Sequence, residues 1–211
     1  MARLAHVTLA LGAVLLLGLG SAYYAVRSGL SGGEIANGPW RSSRVTGSTD
    51  ADLYTRARVA VGALLALAPS ETIYFNADTD ADGQPLEARC DYRVDGEELP
   101  ARWWSITAYG ADHFLIPNDA GRYSFSQTTL AREPGGPWTL EVSTEPGRTG
   151  ASRPVPRSGA QPSEALNWLP SGESAASGPF ALTLRLYNPA PEVVEQPGTV
   201  ALPRIARLGC R

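Results

Sequence analysis

The fold class of this 211-residue chain is decided by one stretch, Phe180-Ala181-Leu182-Thr183-Leu184-Arg185-Leu186-Tyr187. Large apolar side chains stand at every second position, and the residues between them are small, polar or aromatic. A period of two is the pattern of a β-strand with one buried face, because successive side chains of a strand point to opposite sides. The stretch therefore predicts a strand that covers a hydrophobic core.

The same alternation recurs in four earlier stretches. Their apolar members are Cys90, Tyr92 and Val94; Trp104, Ile106 and Ala108; Tyr123 and Phe125; and Trp138, Leu140 and Val142. Turn signals such as Asp82-Gly83, Asp95-Gly96 and 134–136 separate them. With residues 72–77 added, several strands follow one another without alternating helices. This order predicts a mostly β protein with an antiparallel β-sandwich or jelly-roll-like domain.

One amphipathic helix is predicted before the strands, over residues 49–68. Thr49 can cap its first turn together with Asp52, as in a capping box, and Pro69 marks its end. Its apolar side chains recur at helical spacing: Leu53, Ala57, Ala60, Val61, Leu64, Leu65 and Ala68. We expect this stripe to pack on the sheet.

The N-terminal segment has the length and composition of a membrane span. Residues 4–26 carry no formally charged side chain, and a helix of that length rises about 34 Å, enough to cross a hydrocarbon core of about 30 Å. A cleaved secretory signal is the alternative, with Gly20 and Ala22 at the small positions of a cleavage site. The long apolar run favours an uncleaved signal-anchor within residues 1–27.

The orientation of this anchor is not given by its charges. Arg3 lies on one side of the span, whereas Arg27, Arg41 and Arg44 lie on the other, so the positive-inside count does not favour an outside C-terminus. A very short N-terminal tail resembles an export signal. We therefore expect a single-pass protein of a bacterial inner membrane, with residues 28–47 as a flexible tether and 48–211 as a domain facing the periplasm.

Residues 145–165 consist almost entirely of Pro, Gly, Ser, Ala and Arg. A segment of this composition and length predicts a mobile loop. Arg148, Arg153 and Arg157 make it locally basic, so the alternative is an arm that contacts anionic lipid headgroups.

The composition excludes several classes of function. A net charge of -3 provides no field that would capture nucleic acid. The two histidines are His6, inside the apolar run, and His113, so a multi-histidine metal site is excluded. His113 is the one candidate base, and no Gly-x-Ser-x-Gly motif accompanies it. No cofactor is predicted, and the sequence favours a protein that is not an enzyme.

Two further sequence features are a pair of cysteines and a string that resembles part of a calcium-binding loop. Cys90 and Cys210 are the two cysteines, and outside the cytoplasm we expect them to form a disulfide; the alternative is a buried Cys90 and a free terminal thiol. Asp78, Asp80 and Asp82 match the first half of a calcium loop. Arg89 occupies the position of the closing glutamate, so an ordinary hairpin turn is favoured over a calcium site.

Four strings resemble a known family in their order along the chain. They are Trp104-Ser105-Ile106-Thr107-x-Tyr109, Asn118, Asn167-Trp168-Leu169-Pro170 and Leu184-Arg185-Leu186-Tyr187. Over about residues 70–205 the chain resembles the bacterial domain of unknown function 1214. In many relatives that domain follows a domain of unknown function 1254, and here a membrane segment stands in its place. The resemblance implies a β-sandwich-type fold and a cell-envelope location, and it implies no activity.

The ligand-binding candidates come from these strings. Asn167 and Trp168 could bind a sugar by stacking and hydrogen bonding; alternatively, Trp168 plugs the end of the sandwich and Asn167 caps a turn. Arg185 and Tyr187 share the polar face of the last long strand, and Arg185 is an anion ligand if that face lines a cleft. Trp104 and Asn118 are the remaining two ligand-binding candidates.

We therefore predict an uncharacterised, membrane-anchored envelope protein whose domain binds a protein partner or a glycan without catalysis. The alternative is an enzyme that acts on an envelope glycan or lipid through carboxylates and an arginine on the sandwich face. Its candidate residues are Asp78, Asp80, Asp91 and Arg185. A pocket in which Asp80 or Asp91 meets Arg185 would favour the enzyme.

Overall fold

The computed structural model describes residues 2–28, 33–61, 65–148, 167–174 and 177–211. Three α-helices are present in these ranges, α1 (Ala2–Ser28), α2 (Leu53–Val61) and α3 (Pro191–Glu195), together with a 3-10 helix at Pro197–Thr199. The strands are β1 (Glu34–Asn37), β2 (Trp40–Ser43), β3 (Thr72–Ala77), β4 (Cys90–Gly96), β5 (Ala101–Gly110), β6 (Ser124–Ser126), β7 (Trp138–Ser143), β8 (Trp168–Pro170), β9 (Phe180–Pro189) and β10 (Arg204–Cys210).

The strands form two sheets, which confirms the mostly β class. One sheet has the order β1-β2-β3-β9-β5-β6 and the other has the order β10-β4-β7-β8. Neighbouring strands are antiparallel throughout the described sheets except for β7 and β8, which are parallel. Residues 149–166, which stand between these two strands in the sequence, lie outside the described ranges.

The hydrophobic core lies between the two sheets. Strand β9 is central, since it pairs with β3 on one side and β5 on the other. Leu182, Leu184 and Leu186 are each 0% exposed, as the period of two predicts. Trp104 from the six-stranded sheet stacks on Trp138 from the four-stranded sheet, with ring centroids 4.9 Å apart. Large flat rings in contact across the gap explain why these positions cannot be polar.

The predicted tether is wrong for residues 34–43, which form a β-hairpin. Strands β1 and β2 pair with each other, and Arg41 of β2 pairs with Asn76 of β3. Trp40 is 1% exposed, and its Nε1 donates to the Pro203 carbonyl at 2.7 Å. This buried anchor holds the hairpin on the sheet despite the Gly- and Ser-rich segment before it. Residues 29–32 lie outside the described ranges.

Helix α2 is shorter than predicted and turns a different face to the protein. It covers Leu53–Val61, residues 65–68 are not helical, and Leu64 lies outside the described residues. Thr55 is its buried residue, whereas the stripe residues Leu53 and Val61 are 82% and 65% exposed. An apolar stripe shows which face of a helix avoids water, but it does not identify the surface that covers that face.

The N-terminal cap of α2 is Asp52 and not the predicted Thr49. Its Oδ1 accepts hydrogen bonds from the backbone amides of Tyr54 and Thr55 at 2.8 and 3.1 Å. Its Oδ2 accepts the Thr55 hydroxyl at 2.7 Å. These bonds, that of the Thr55 side chain first, lower the pKa of Asp52.

We expect Asp52→Ala to fray the start of α2, whereas Asp52→Asn keeps an acceptor and preserves it. Because folding lowers the pKa of Asp52, the stabilisation is present above the unfolded-state pKa and is lost as the pH falls through the folded-state value. Hydrogen–deuterium exchange at neutral pH checks this, with faster exchange at Tyr54 and Thr55 in Asp52→Ala alone. Equal protection in both variants would contradict the assignment of the cap.

Helix α1 contains a stretch, Arg3–Val26, that is long and apolar enough to cross a membrane, and none of its most apolar part is buried. A secretory signal has the same length and composition. The structure therefore establishes an apolar helix of spanning length at the N-terminus.

Candidate functional site

A cleft of about 850 Å³ lies on the face of the six-stranded sheet that points away from the core. We call it the sheet-face cleft. Strands β2, β3, β5 and β9 contribute to its floor, α2 covers one side, and Val26 at the end of α1 lines it as well. The loop 110–113 after β5 forms another part of its wall. The polar face of β9 therefore lines an open cleft, which is the condition for Arg185 to serve as an anion ligand.

Arg185 stands on this face beside two tyrosine rings. Its guanidinium carbon lies 5.4 Å from the ring centroid of Tyr109 and 5.9 Å from that of Tyr74. Its Nη1 donates to the Thr107 hydroxyl at 3.2 Å, and its Nη2 donates to the Tyr109 hydroxyl at 2.8 Å. The aromatic rings and hydroxyls hold the guanidinium in one orientation.

The charge of Arg185 is not neutralised by a carboxylate of the described chain, since no ion pair to it is found there. Its partners Thr107 and Tyr109 are neutral. A partly buried guanidinium with neutral partners retains donors and a full positive charge for an incoming anion. This is the chemical property that distinguishes the cleft from the rest of the sheet.

The remaining lining is mixed in charge. Asn76 and Thr183 lie next to Arg185 on the sheet, and the Thr183 hydroxyl donates to Asn76 Oδ1 at 2.7 Å. The ionisable residues around the walls are Glu34, Arg41, Arg58, Asp78, Asp112 and His113. Because carboxylates and arginines are both present, an excess of positive charge is local to Arg185 and does not extend over the whole cleft.

Asn167 and Trp168 do not form an open sugar-stacking platform. Trp168 is 8% exposed, and its Nε1 donates to the Ser143 carbonyl at 3.0 Å. Asn167 Oδ1 accepts the Ala131 amide at 2.8 Å, and its Nδ2 donates to the carbonyls of Ala131 and Thr139. The Asn167 side chain joins the four-stranded sheet to the segment at Ala131, and the Trp168 side chain bonds to the end of β7 within that sheet, because a buried amide and indole need partners.

We expect Asn167→Ala to lower the free energy of unfolding by about 1–3 kcal/mol, because it leaves partly buried backbone groups of Ala131 and Thr139 without this side-chain partner. Urea unfolding followed by tryptophan fluorescence measures this loss. A variant as stable as the wild type that had lost glycan binding would instead support the sugar-stacking hypothesis.

Three more of the ligand-binding candidates make contacts within the protein: Trp104, Asn118 and Tyr187. Trp104 is 0% exposed in the core. Asn118 closes its own turn, where Oδ1 accepts the Arg122 amide and Nδ2 donates to the Ile116 carbonyl, each at 3.0 Å. Tyr187 packs on Trp103 with ring centroids 5.1 Å apart. Of the six ligand-binding candidates, Arg185 is the one that lines the sheet-face cleft.

The carboxylates proposed for an enzyme are dispersed. The Asp80 side chain is 2% exposed and pairs with Arg207, with Oδ2 and Nε 2.7 Å apart. Asp91 pairs with Arg148 at 2.9 Å, and this hydrogen bond is the main reason that the pKa of Arg148 is raised. Asp78 is the one of the three that lines the cleft with Arg185. The meeting of Asp80 or Asp91 with Arg185, which would favour the enzyme, is therefore not found among the described residues.

The calcium alternative for Asp78, Asp80 and Asp82 finds no support in this geometry. Asp80 Oδ1 accepts the backbone amides of Asp82 and Gln84, and Oδ2 receives Arg207. Oxygens bound to a cation and to amides are not free to ligate a metal. In the ranges that the structure covers, no group of three or more His, Cys, Asp or Glu side chains could hold a metal ion.

The predicted loop 145–165 lies outside the described residues from position 149 onward. Its first part is described: Glu141, 3% exposed, accepts the amides of Gly147 and Arg148 through its two carboxylate oxygens. Of the three arginines in the loop, Arg148 is described, and it pairs with Asp91. Arg153 and Arg157 belong to the undescribed part.

The residues around Arg185 that the sequence analysis did not name as ligand-binding candidates are Tyr74, Asn76, Thr107 and Tyr109. Tyr74 and Asn76 alternate with the buried Ile73, Phe75 and Ala77 in β3. A period of two therefore placed them on one polar face. Nothing in the local sequence shows that this face lies beside Arg185, because strand pairing joins positions about 110 residues apart.

These features define a two-sheet, mostly β protein with an apolar N-terminal helix and an arginine-centred cleft. The chain belongs to the family described as Protein of unknown function (DUF1214), whose model matches residues 71–191. That range contains Arg185 and its partners Tyr74, Thr107 and Tyr109, whereas α1, the β1–β2 hairpin and α2 precede it. The part of the floor formed by β3, β5 and β9 therefore belongs to the family domain, whereas β2 and the wall formed by α2 belong to the preceding segment.

Two solved structures are similar to this chain. The VPA0106 protein from Vibrio parahaemolyticus is 25% identical with a TM-score of 0.55, over 77% of this chain and 37% of that one. An uncharacterized protein from Burkholderia cenocepacia is 18% identical with a TM-score of 0.38, over 67% of this chain and 30% of that one. The chain thus spans about a third of the length of these relatives. None of the curated proteins matches it.

Proposed function

We propose that this protein is a membrane-anchored module of the bacterial cell envelope that binds a ligand in the sheet-face cleft without transforming it. One observation carries the proposal: Arg185 lines a cleft of about 850 Å³, held by neutral hydroxyls and by the rings of Tyr74 and Tyr109. A volume in this range suits a small organic ligand or the end of a larger one. Because no carboxylate of the described chain neutralises the Arg185 guanidinium, we expect the ligand to carry a negatively charged group or a strong hydrogen-bond acceptor.

The anchor and the orientation are parts of the same proposal. Helix α1 has the length to span a bilayer. The bond between the Sγ atoms of Cys90 and Cys210 supports a location outside the cytoplasm, because disulfides persist in oxidising compartments. A reporter fused after Arg211 tests the orientation: we expect a periplasm-dependent reporter to be active and a cytoplasm-dependent one to be silent. The reverse pattern would contradict the periplasmic assignment.

Ligand binding can be tested by photocross-linking in bacterial cells. A photoreactive residue at Asn76, which is exposed and lines the cleft, is compared with one at Arg102, which is exposed and lies outside it. We expect a non-self adduct at position 76 that disappears when Arg185→Gln is added. No adduct at position 76, or the same adduct at position 102, would contradict a ligand in the cleft.

The second candidate is an enzyme that acts on an envelope glycan or lipid. One observation favours it: the Asp78 carboxylate lines the same cleft as Arg185. In that case Asp78→Asn would abolish turnover of the captured ligand, whereas a binding module would release the ligand unchanged. Mass spectrometry of the ligand recovered from the wild type and from Asp78→Asn distinguishes the two functions.

A further inference from the structure

The sheet-face cleft lies at the end of the molecule where the chain leaves the membrane. Val26, the last residue of the candidate span Arg3–Val26, is one of the residues that line the cleft. Helix α2, which covers the cleft, contacts α1. With α1 across a bilayer, Val26 lies where the hydrocarbon meets the lipid headgroups. The cleft is then next to the headgroup layer.

The rim of the cleft is apolar and exposed. Thr55 is the buried residue of α2, and the helical period places Leu53, Ala57 and Val61 on the opposite side of that helix. Leu53 and Val61 are 82% and 65% exposed, and Val61 itself lines the cleft. The described part of the chain therefore leaves the Leu53 and Val61 side chains largely uncovered.

A second apolar element follows the other wall of the cleft. Phe114 and Leu115 are 71% and 44% exposed, and they come directly after the lining residues 110–113. Exposed apolar side chains next to a membrane span are stabilised when they enter the boundary between headgroups and acyl chains. A cationic floor with an apolar rim is the arrangement that an amphiphile requires.

From this arrangement we infer that the ligand of the cleft is the phosphate headgroup of an anionic phospholipid from the adjoining leaflet, paired with Arg185. The inference rests on the proposed function and names its ligand. A guanidinium binds phosphate oxygens through parallel N–H donors, and the rim formed by α2 and Phe114-Leu115 contacts the first part of the acyl chains. Asn76 and Thr183, neighbours of Arg185, provide polar groups for the glycerol portion.

The mixed charge of the walls makes this recognition specific for Arg185. Glu34, Asp78 and Asp112 line the cleft together with Arg41 and Arg58, so a diffuse positive field does not explain binding. Binding is instead explained by pairing between the phosphate and the Arg185 guanidinium. Arg185→Lys keeps the charge and loses the planar fork, and it therefore separates geometric pairing from simple charge attraction.

The test uses the full chain in micelles of a neutral detergent. The probes are dioleoyl phosphatidylglycerol, inorganic phosphate and dioleoylglycerol, and the readouts are native mass spectrometry and thermal unfolding. We expect phosphatidylglycerol to form a one-to-one adduct and to raise the unfolding temperature, because a ligand that binds only the folded state stabilises it. Dioleoylglycerol should not bind measurably, and inorganic phosphate should bind more weakly because it has no acyl chains.

Matched variants identify the contacts. Arg185→Gln and Arg185→Lys should each weaken phosphatidylglycerol binding by about tenfold or more, as expected for the loss of a charged hydrogen-bonded pair. Arg102→Gln removes an exposed arginine outside the cleft and should leave binding unchanged. Phe114→Ser should weaken binding of phosphatidylglycerol and not of inorganic phosphate. Arg185→Lys retains the cation beside Tyr74 and Tyr109, so it remains informative if the glutamine variant does not fold.

Several results would overturn the inference. Equal binding of inorganic phosphate and phosphatidylglycerol would make a free phosphate the ligand, and equal binding of dioleoylglycerol would remove the role of the charge. Unchanged binding by both Arg185 variants would place the lipid elsewhere. If phosphatidylglycerol does not bind the wild type but an adduct still forms at Asn76 in cells, the lipid assignment fails and the proposed function stands. If both are absent, both fail.

Discussion

Replacing both cysteines, with Cys90→Ala and Cys210→Ala, is expected to lower the free energy of unfolding by about 4–5 kcal/mol. The bond joins residues 120 positions apart, and opening so long a loop gives the unfolded chain more conformational freedom. Cys90 begins β4, and it pairs in register with Cys210 at the end of β10. The disulfide therefore holds the C-terminal edge strand of the four-stranded sheet.

The measurement is urea unfolding of the full chain in neutral micelles, followed by tryptophan fluorescence. Cys210→Ala alone opens the same loop and should account for most of the loss. The additional loss of unfolding free energy in the double variant then comes from the packing of the Cys90 side chain, which is 0% exposed. Two alkylatable thiols in the unreduced wild type, seen by intact mass, would contradict this account, as would a double variant of wild-type stability.

Arg207→Ala is expected to cost about 3–5 kcal/mol, because removing one partner of a buried ion pair leaves the other charge uncompensated. The Asp80 side chain is 2% exposed, and Arg207 Nε lies 2.7 Å from its Oδ2. The guanidinium also donates to the Pro85 carbonyl and lies 5.5 Å from the ring centroid of Tyr92. It therefore fastens β10 to the turn that precedes β4.

The same urea experiment provides the controls for this pair. Arg204→Ala removes an exposed arginine of the same strand that has no ion pair in the described part of the chain, and it should change stability by no more than about 0.5 kcal/mol. In an Asp80→Asn background, Arg207→Ala should cost much less than in the wild type, since no buried charge is left behind. An equal cost in both backgrounds would show that the packing of Arg207, not its charge, stabilises the strand.

Local periodicity accounts for the parts of the fold that were predicted correctly. The alternation over Phe180-Tyr187 predicts a strand with Leu182, Leu184 and Leu186 buried, and β9 shows this arrangement. The same alternation places Arg185 on the opposite face. These inferences succeed because a strand's period is a property of the backbone and needs no knowledge of distant residues.

A motif does not show where a polar side chain finds its partner when that partner is distant in sequence. Asp80 stands in a calcium-like string, and its carboxylate pairs with Arg207, 127 positions away. Asn167 and Trp168 resemble a sugar-binding pair, and their polar atoms are bound to residues 25 to 36 positions away. Composition also misassigned the hairpin around Trp40, because its anchor is the Pro203 carbonyl.

The sequence by itself determined the strand-rich class, the apolar N-terminal helix, the family resemblance and the core-facing positions of β4, β5, β7 and β9. Tertiary structure alone decided that α2 turns its apolar stripe outward, that Tyr74 and Tyr109 flank Arg185, and that the polar face of β9 lines a cleft. The reason is physical. Which side of an element is apolar depends on neighbouring positions, whereas what covers that side depends on pairings between residues far apart in the chain.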